Sequence, residues 1–333
     1  MKASKAILLL VFGIAAAAAA GCGSQTATLP SSQAAFPRPD GGIKQRDLLY
    51  VSNANGTVSV YRYWQHTLVT VLTKFAKPMG ECADAAGDVY VADFGAKKIY
   101  EYAHGGTKAI HTIDGSPNTP RGCSVARSDG DLAVANYGQR DSSYYGDGNV
   151  AVYAKGHGSP SFYGANHDNH FMGCAYDDRG DLLAVSETGY SGIWYYSPEF
   201  FYLPKHGTSL ITVQLPNPYS SSGWYNEAVQ GVAWDGKYWI VVSYDELYLY
   251  TINVKAEFVS RIKLSGSYGD LGPVAVYRKA LKGVGTQVVA ASSKFSGKGV
   301  VDYWHYPAGG SPLAQITSDL DAPYGVAISM GTP

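Results

Sequence analysis

The sequence predicts an all-β protein made of six similar four-stranded sheets, and three observations support that prediction. Alternating runs rich in Val, Tyr, Ile and Ala are separated by turns of Gly, Asp and Asn. Helical periodicity is essentially absent. The segment GDVYVADFGAKKIYEYAHG, residues 87–105, belongs to a unit whose copies begin 42 to 58 residues apart between Met79 and Gly272. Four strands per unit at this spacing, with loop insertions, are typical of the blades of a β-propeller.

Each copy of the unit has four strands joined by turns. A strand of pattern x-G-[VC]-A leads through an Asp/Gly turn to a second strand such as Asp88–Asp93, a third such as Lys98–Ala103 and a fourth such as Ala109–Asp114. This alternation predicts antiparallel hairpins. Two later third strands are predicted at IWYYS, residues 193–197, and LYLYT, residues 247–251. The six blades are predicted to begin near Asp47, Met79, Arg121, Met172, Gln230 and Gly272.

The two ends of the repeat region complement each other. The first copy, Asp47–Thr73, lacks a first strand, and a matching strand, YGVAIS, stands at Tyr324–Ser329. A ring left open would expose a sheet edge at its seam. We therefore expect one propeller domain over residues 46–330, closed by the C-terminal strand pairing with the N-terminal blade.

The repeat pattern P-x-G-[VC]-A-x-D-x-x-G-D-L-x-V-A-[ND]-x-G resembles that of the NHL-repeat class of propellers. It is also similar to the wider superfamily that contains the senescence-marker and gluconolactonase enzymes. The resemblance covers the chain from about Asp47 to its end. It implies a propeller fold and does not define an activity, because propellers host many functions.

Residues 1–21 predict a secretory signal peptide. Two lysines precede an apolar run over residues 6–20, which is shorter than the roughly 20 residues that span a bilayer comfortably. The sequence AAGC, residues 19–22, resembles the bacterial lipobox, although that family prefers Leu or Val at the first position. The resemblance implies diacylation of Cys22 and, with Gly and Ser following it, an outer-membrane or cell-surface lipoprotein. The alternative is cleavage after an A-x-A site and a soluble exported product.

Residues 22–45 are expected to be the lipidated cysteine and a flexible tether, because Ser, Thr, Ala, Gln, Pro and Gly dominate without aliphatic periodicity. Once the signal peptide is removed, 24 basic and 27 acidic residues remain. This balance gives no reason to expect binding to nucleic acid or to an anionic membrane through charge. The membrane is expected to be reached only through the lipid anchor.

One set of candidate ligand-binding residues directly precedes the repeat glycines. The inner strands of a propeller converge on the axis, so the loops that enter them border a central pocket. In the gluconolactonase-like family these positions resemble those where Glu, Asn and Asp hold a divalent metal. A hard cation needs several oxygen ligands, which the side chains at these positions of this chain do not supply. We therefore expect no metal here and disfavour a metal-dependent lactonase. The candidates are Met79, Arg121, Met172, Gln230 and Tyr324.

A second set stands at the ends of the second strands: Asn53, Asp93, Asn136, Glu187 and Asp245. Asx side chains cap tight turns by accepting hydrogen bonds from local backbone N–H groups, and the favoured role of this set is structural. Glu187 is too long for an Asx-turn and is the member most expected to face a ligand.

Two further places carry weak catalytic candidates. Glu81 occupies a first-strand position where other copies have Cys or Val. It either pairs with Arg121 of the next blade or is solvated, since burying it unpaired would be costly, and a paired Glu81 could act as an acid or base. The segment NHDNHFMG places His167 and His170 beside Asp168. These histidines either form part of a metal site or a general base, or are simply solvated.

Cys82, Cys123 and Cys174 fall in predicted inner strands, where small apolar residues pack. Buried core thiols are favoured over a disulfide framework, and the odd count leaves at least one thiol free. The sequence has no G-x-S-x-G elbow, H-E-x-x-H motif or Walker loop, and nothing indicates a cofactor.

Aromatic residues are abundant, with 27 Tyr and 6 Trp, and three insertions interleave them with Ser, Gly and Asn: residues 140–149, 189–204 and 217–226. Such loops suit a binding surface, although part of the aromatic content must pack between blades. We therefore expect an exported, lipid-anchored binding or scaffold module for a protein, peptide or glycan. The alternative is a hydrolase or lyase with a site in the central pocket, drawing on Glu81, Glu187, His167 or His170. A third is a purely structural surface protein.

Overall fold

The computed structural model confirms the predicted architecture: six four-stranded antiparallel sheets form a closed propeller. It describes residues 47–116, 118–138, 148–164, 169–188, 197–219, 223–224, 228–253, 255–266, 271–278, 286–293 and 299–331. Within these ranges the chain forms 24 strands and one 3-10 helix, Ala154–Gly156. Across the same ranges, no helix has the length and apolar character needed to cross a bilayer.

The strands are numbered along the chain, and each blade is given from its inner to its outer strand. Blade 1 contains β24 (Val326–Ser329), β1 (Leu48–Ser52), β2 (Val58–Arg62) and β3 (Thr67–Leu72). Blade 2 contains β4 (Pro78–Ala83), β5 (Val89–Asp93), β6 (Lys98–Tyr102) and β7 (Ala109–Asp114). Blade 3 contains β8 (Pro120–Val125), β9 (Leu132–Asn136), β10 (Asn149–Tyr153) and β11 (Ser161–Gly164).

The second half of the ring repeats this order. Blade 4 contains β12 (Asn169–Tyr176), β13 (Leu182–Thr188), β14 (Ser197–Leu203) and β15 (Ile211–Val213). Blade 5 contains β16 (Val229–Trp234), β17 (Trp239–Ser243), β18 (Glu246–Ile252) and β19 (Ala256–Lys263). Blade 6 contains β20 (Leu271–Tyr277), β21 (Gln287–Ser293), β22 (Gly299–His305) and β23 (Ala314–Ile316). The inner strands contact one another in sequence around the axis.

One predicted strand is misplaced. The third strand of blade 4 was expected at residues 193–197, but β14 begins at Ser197, which lies opposite Thr188, and it ends with Leu203 opposite Leu182. The seven residues of β13 therefore pair with the second half of the 189–204 segment. Residues 193–196 fall outside the described part of the chain.

The apolar core consists of layers between neighbouring blades. In one such layer Ile240 and Val242 of blade 5 pack in a single cluster with Val288, Ala290 and Trp304 of blade 6. Both faces of most blades are covered in this way, so inner and middle strands are buried along their length. This burial explains why Val, Ile, Tyr and Ala recur in the repeat.

The repeat glycines allow the inner strands to approach closely at the axis. A Cβ atom at Gly80 would lie 2.5 Å from Arg121 O and 2.8 Å from Gly122 Cα of the next blade. A Cβ atom at Gly122 would lie 3.4 Å from Gly173 Cα, and one at Gly173 would lie 3.5 Å from Gly231 Cα. A glycine is therefore required at Gly80, where backbone meets backbone, whereas a Cβ atom at Gly122 or Gly173 would make ordinary contacts.

The C-terminal strand closes the ring as predicted. β24 pairs antiparallel with β1, and Leu48 lies opposite Ser329. Beyond the strand, Gly331 N donates to Asp47 Oδ1 at 3.1 Å. Ser329 Oγ also hydrogen-bonds to Gly87 O in blade 2. The closing strand is thus held by its own blade and by the next one.

The prediction that all three cysteines are core thiols is wrong for two of them. Cys82 and Cys123 form a disulfide between the inner strands of blades 2 and 3, with Cα atoms 5.6 Å apart. Cys82 shares a strand face with Gly80, which is directed at blade 3, and Cys123 lies on the face opposite to Gly122, directed back at blade 2. Cys174 is free and buried, and burial raises the pKa of its thiol to about 12.

Candidate functional site

The predicted ligand-binding residues lie at one level around the axis. Each directly precedes a repeat glycine, at the end of the ring where the inner strands begin, which we call the mouth face; the opposite end is the far face. Met79 and Met172 are buried, with 9% and 3% of their surface exposed. Arg121, Gln230 and Tyr324 are half-buried. Polar side chains and methionine side chains therefore lie at the same height along the axis.

Arg121 makes the most contacts of these residues. Its Nε and Nη2 donate to Tyr324 Oη at 3.2 and 2.7 Å. The guanidinium carbon lies 5.2 Å from the centroid of the Tyr137 ring and 5.4 Å from that of Tyr324, within the range of cation–π attraction. Within the described ranges, no carboxylate forms an ion pair with Arg121. Within the described residues, hydrogen bonds occupy two of its five N–H groups.

Tyr137 connects Arg121 to blade 4. His170 stacks on its ring, with centroids 4.5 Å apart and an interplanar angle of 16°, and His170 Nδ1 lies 2.7 Å from Tyr137 O. Sequence reasoning missed Tyr137. A signal was present, because the variable position of A-[ND]-x-G is aromatic in two successive copies, as Phe94 and Tyr137. These two rings contact each other, with centroids 6.0 Å apart.

Glu187 lies at the same place. In the register of β12 and β13 it stands directly opposite His170, so both side chains project from one face of the sheet. Only 8% of Glu187 is exposed. Burial raises the pKa of its carboxyl to about 7, against a smaller lowering by the positive charge of Arg121. We call Arg121, Tyr137, His170, Glu187 and Tyr324 the mouth cluster.

Both alternatives for Glu81 are wrong, because it is neither paired with Arg121 nor solvated. Its side chain is 8% exposed, and neither carboxyl oxygen has a hydrogen-bond partner in the described chain. It lies against Ser52 and Gly325, where the closing strands of blade 1 meet blade 2. Burial raises the pKa of Glu81 to about 8, and the Ser52 hydroxyl lowers it slightly. We call Ser52, Glu81 and Gly325 the closure site.

Two of the Asx residues at the ends of second strands, Asp93 and Asn53, have a structural role. Asp93 accepts hydrogen bonds from Ala76 N and Lys77 N, both at 2.8 Å. Asn53 Oδ1 accepts from Asp321 N at 3.0 Å. These partners are distant in sequence, so the two side chains join separate segments of backbone; the local backbone contact of Asp93 is a hydrogen bond that Ala96 N donates to its Oδ1 at 3.1 Å.

The remaining candidates divide between packing and residues that are not described. His167 lies outside the described residues, as do residues 140–147 and 189–196 of two of the insertions. Trp224 is buried, and its Nε1 donates to Leu215 O at 2.8 Å. Tyr219 is 54% exposed and stacks against Arg261, whose guanidinium carbon lies 3.8 Å from the ring centroid. In the described part of these loops, both packing and exposed aromatic surface are present.

The mouth cluster offers a cation, aromatic ring faces and a carboxyl that titrates near neutral pH. This combination suits recognition of an anionic group beside an apolar surface. Over the described ranges, no group of three or more His, Cys, Asp and Glu side chains is placed to hold a metal ion.

Comparison with known proteins supports the fold and goes no further. No protein-family model matches the chain, and no curated protein sequence matches it. The structure is similar to a chain in the crystal structure of a nidogen/laminin complex, with a TM-score of 0.57 and 13% identity over 86% of this chain and 100% of that one. It is also similar to the Myceliophteria thermophila Cps50 (Swd1) β-propeller domain, with a TM-score of 0.53 and 11% identity over 88% of this chain and 90% of that one. At such identities these likenesses show a β-propeller fold alone.

Proposed function

We propose that this chain is an exported, lipid-anchored propeller that binds a protein, peptide or glycan partner in the cell envelope through its mouth face. The observation that carries the proposal is the mouth cluster. A half-buried guanidinium is held by a phenol and two ring faces. Within the described residues, its other three N–H groups make no hydrogen bond. Its position is fixed before a partner arrives, which reduces the ordering cost of binding.

The anchoring chemistry would be an anionic group, and a carboxylate fits best. Planar carboxylates accept parallel hydrogen bonds from guanidinium N–H groups. The neighbouring rings of Tyr137 and Tyr324 then provide apolar contact for the rest of the partner. Acidic side chains, a free peptide C-terminus and uronic-acid sugars all carry this group.

Peptide selection tests the proposal. The mature chain would be presented to a random peptide library, and Arg121→Met would remove the charge while keeping much of the side-chain length. We expect peptides enriched in Asp, Glu or a free C-terminus, with binding reduced at least about tenfold in Arg121→Met. Lys77→Met is the matched control, since Lys77 is an exposed cation on the same face, 5.0 Å from the Phe94 ring centroid. Equal losses in both variants would contradict a specific role of Arg121.

The cellular location of the protein is a separate part of the proposal. The NHL-like repeat pattern and the AAGC sequence at residues 19–22 support a lipoprotein whose propeller faces the envelope. Detergent phase partitioning of the native protein should place it in the detergent phase, and Cys22→Ser should move it to the aqueous phase. Aqueous partitioning of the native protein would remove the lipid anchor from the proposal.

A hydrolase or lyase is the second candidate, and one observation favours it. Glu187 has a pKa of about 7, lies opposite His170 and is close to a cation that would stabilise a developing negative charge. Turnover of ester, lactone or glycoside substrates that is lost in Glu187→Gln would establish this candidate in place of a pure binding role. Turnover that persists in that variant would exclude Glu187 as its acid or base.

A further inference from the structure

A cleft suited to a small ligand lies away from the mouth cluster. On the far face, where blades 3 and 4 meet, a cleft of about 220 Å³ opens between the turns of the two blades. At about 30 Å³ per water molecule this is the volume of roughly seven waters. That space accommodates one sugar ring with its hydroxyl groups.

An ion pair and two hydrogen bonds from backbone N–H groups hold the walls of the cleft. Lys205 Nζ forms an ion pair with Asp129 Oδ2 at 2.8 Å and so connects the two blades. Lys155 N donates to Asp131 Oδ1 at 2.9 Å, and Lys205 N donates to Asp181 Oδ1 at 2.8 Å. A ligand would therefore meet a preformed site, which is the usual condition for small-molecule pockets.

Several polar groups of the lining remain unused by the fold. Within the described residues, no hydrogen bond engages the hydroxyl of Tyr176, the second carboxylate oxygen of Asp131, or the hydroxyls of Ser159 and Ser161. Tyr176 and Asp131 both line the cleft. Burial raises the pKa of the Tyr176 phenol, and the charges of Cys174 and then Asp131 add to that rise. Tyr163 adds a second aromatic ring to the lining. The cleft thus combines hydroxyl donors and acceptors with two ring surfaces.

The charge in the cleft narrows the class of ligand. Asp129 is balanced by Lys205, whereas the side chain of Asp131 has only a backbone N–H as its partner among the described residues. An anionic ligand would be repelled by the second carboxylate. A neutral polyhydroxyl ligand is not repelled, and its hydroxyls can both donate to Asp131 and accept from Tyr176.

We infer that this far-face cleft binds a single neutral sugar residue. The inference does not depend on the mouth cluster, because none of its residues belongs to that cluster. It gives the propeller two recognition surfaces at opposite ends of its axis.

Titration with defined sugars tests the inference. The folded Arg121→Met variant, whose mouth cluster lacks the cation proposed to hold carboxylates, would be titrated calorimetrically with D-glucose, D-galactose, N-acetyl-D-glucosamine, D-glucuronate and ethanolamine. We expect at least one neutral sugar to bind and D-glucuronate to bind about tenfold more weakly than its neutral counterpart D-glucose. Asp131→Asn should weaken neutral-sugar binding about tenfold, and Tyr176→Phe about fivefold.

A matched control exists in blade 2. Asp88 occupies the corresponding turn position and accepts from His104 N at 3.3 Å, but it does not line the cleft. Asp88→Asn should leave sugar affinity unchanged. The inference is overturned if no neutral sugar binds, if ethanolamine or D-glucuronate binds as tightly as the neutral sugars, or if Asp131→Asn and Asp88→Asn behave alike. Because Arg121→Met leaves the cleft intact, sugar binding should survive that variant even if the mouth face binds nothing.

Discussion

The closure site and the mouth cluster each contain a buried glutamate, and the two differ in what surrounds the carboxyl. Glu81 and Glu187 are equally buried, with 8% of each exposed. Burial raises the pKa of Glu81 to about 8 and that of Glu187 to about 7. Only Glu187 has a neighbouring cation, Arg121, which lowers its pKa from the value that burial alone would give. The carboxyl beside a cation can take part in recognition. The other carboxyl has no such cation, and its burial lowers the stability of the closed ring when it ionises.

Removing residues 322–333 should have the largest effect. The deletion takes away β24, leaves β1 as an open inner edge and removes Gly325 from the closure site. We expect the cooperative unfolding transition to disappear, which is a loss of at least about 5 kcal/mol, with aggregation seen by size-exclusion chromatography. Removing only residues 332–333 is the control and should change little. A deletion variant that unfolds with native stability would contradict closure by the C-terminal strand.

Gly325→Ala should be the most damaging single substitution at the closure site. The added Cβ would collide with Met79 O and Glu81 Oε2 and would lie 2.9 Å from Ser52 Oγ. We expect a destabilisation of about 2–3 kcal/mol in chemical denaturation. Gly173→Ala is the matched control, because its Cβ would meet Gly231 Cα at an ordinary 3.5 Å. Equal costs for the two variants would show that the closure site is not specially crowded.

Glu81→Gln should change how stability depends on pH. Because the folded pKa of Glu81 is raised to about 8, the native state holds a proton that the unfolded state releases above about pH 4.5. Stability contributed by that proton is present at low pH and is lost as pH rises towards 8. We expect Glu81→Gln to flatten this decline and to gain on the order of 4 kcal/mol over the native protein at pH 9 relative to pH 5. Denaturation curves at pH 5, 7 and 9 measure the free energy of unfolding of both proteins. The same pH dependence in both would refute the raised pKa of Glu81.

Glu187→Gln should act in the same direction and to a smaller extent. Its folded pKa is raised only to about 7, so the decline in stability occurs between about pH 4.5 and 7. We expect a gain of about 2–3 kcal/mol that is complete by pH 8. The same denaturation series measures this effect. A larger effect for Glu187→Gln than for Glu81→Gln would reverse the comparison.

Much of the fold follows from local pattern, because strands, turns and glycines repeat in the sequence. The orphan strand at residues 324–329 was sufficient to predict closure, and a structural role was predictable for Asn53 and Asp93, although their distant backbone partners were not. The level of the mouth face was also predictable, since each of its candidates precedes a repeat glycine.

The parts that were not predictable depend on contacts between blades. The disulfide joins residues at different offsets from their glycines, so alignment of the copies did not pair Cys82 with Cys123. The partner of Arg121 is a phenol from the far end of the chain, Tyr324, and not the nearby Glu81. The far-face cleft likewise arises from turns of two blades that have no local signal.

The most direct test is a ¹³C NMR titration of the two carboxyls in the native protein and in Arg121→Met, with resonances assigned through Glu81→Gln and Glu187→Gln. We predict that Glu81 titrates near pH 8 in both proteins, since no cation faces it. Glu187 should titrate near pH 7 in the native protein and at a higher pH in Arg121→Met, because the lowering by the guanidinium is lost. A Glu187 that does not respond to Arg121→Met, or a Glu81 that does, would contradict the division between the mouth cluster and the closure site.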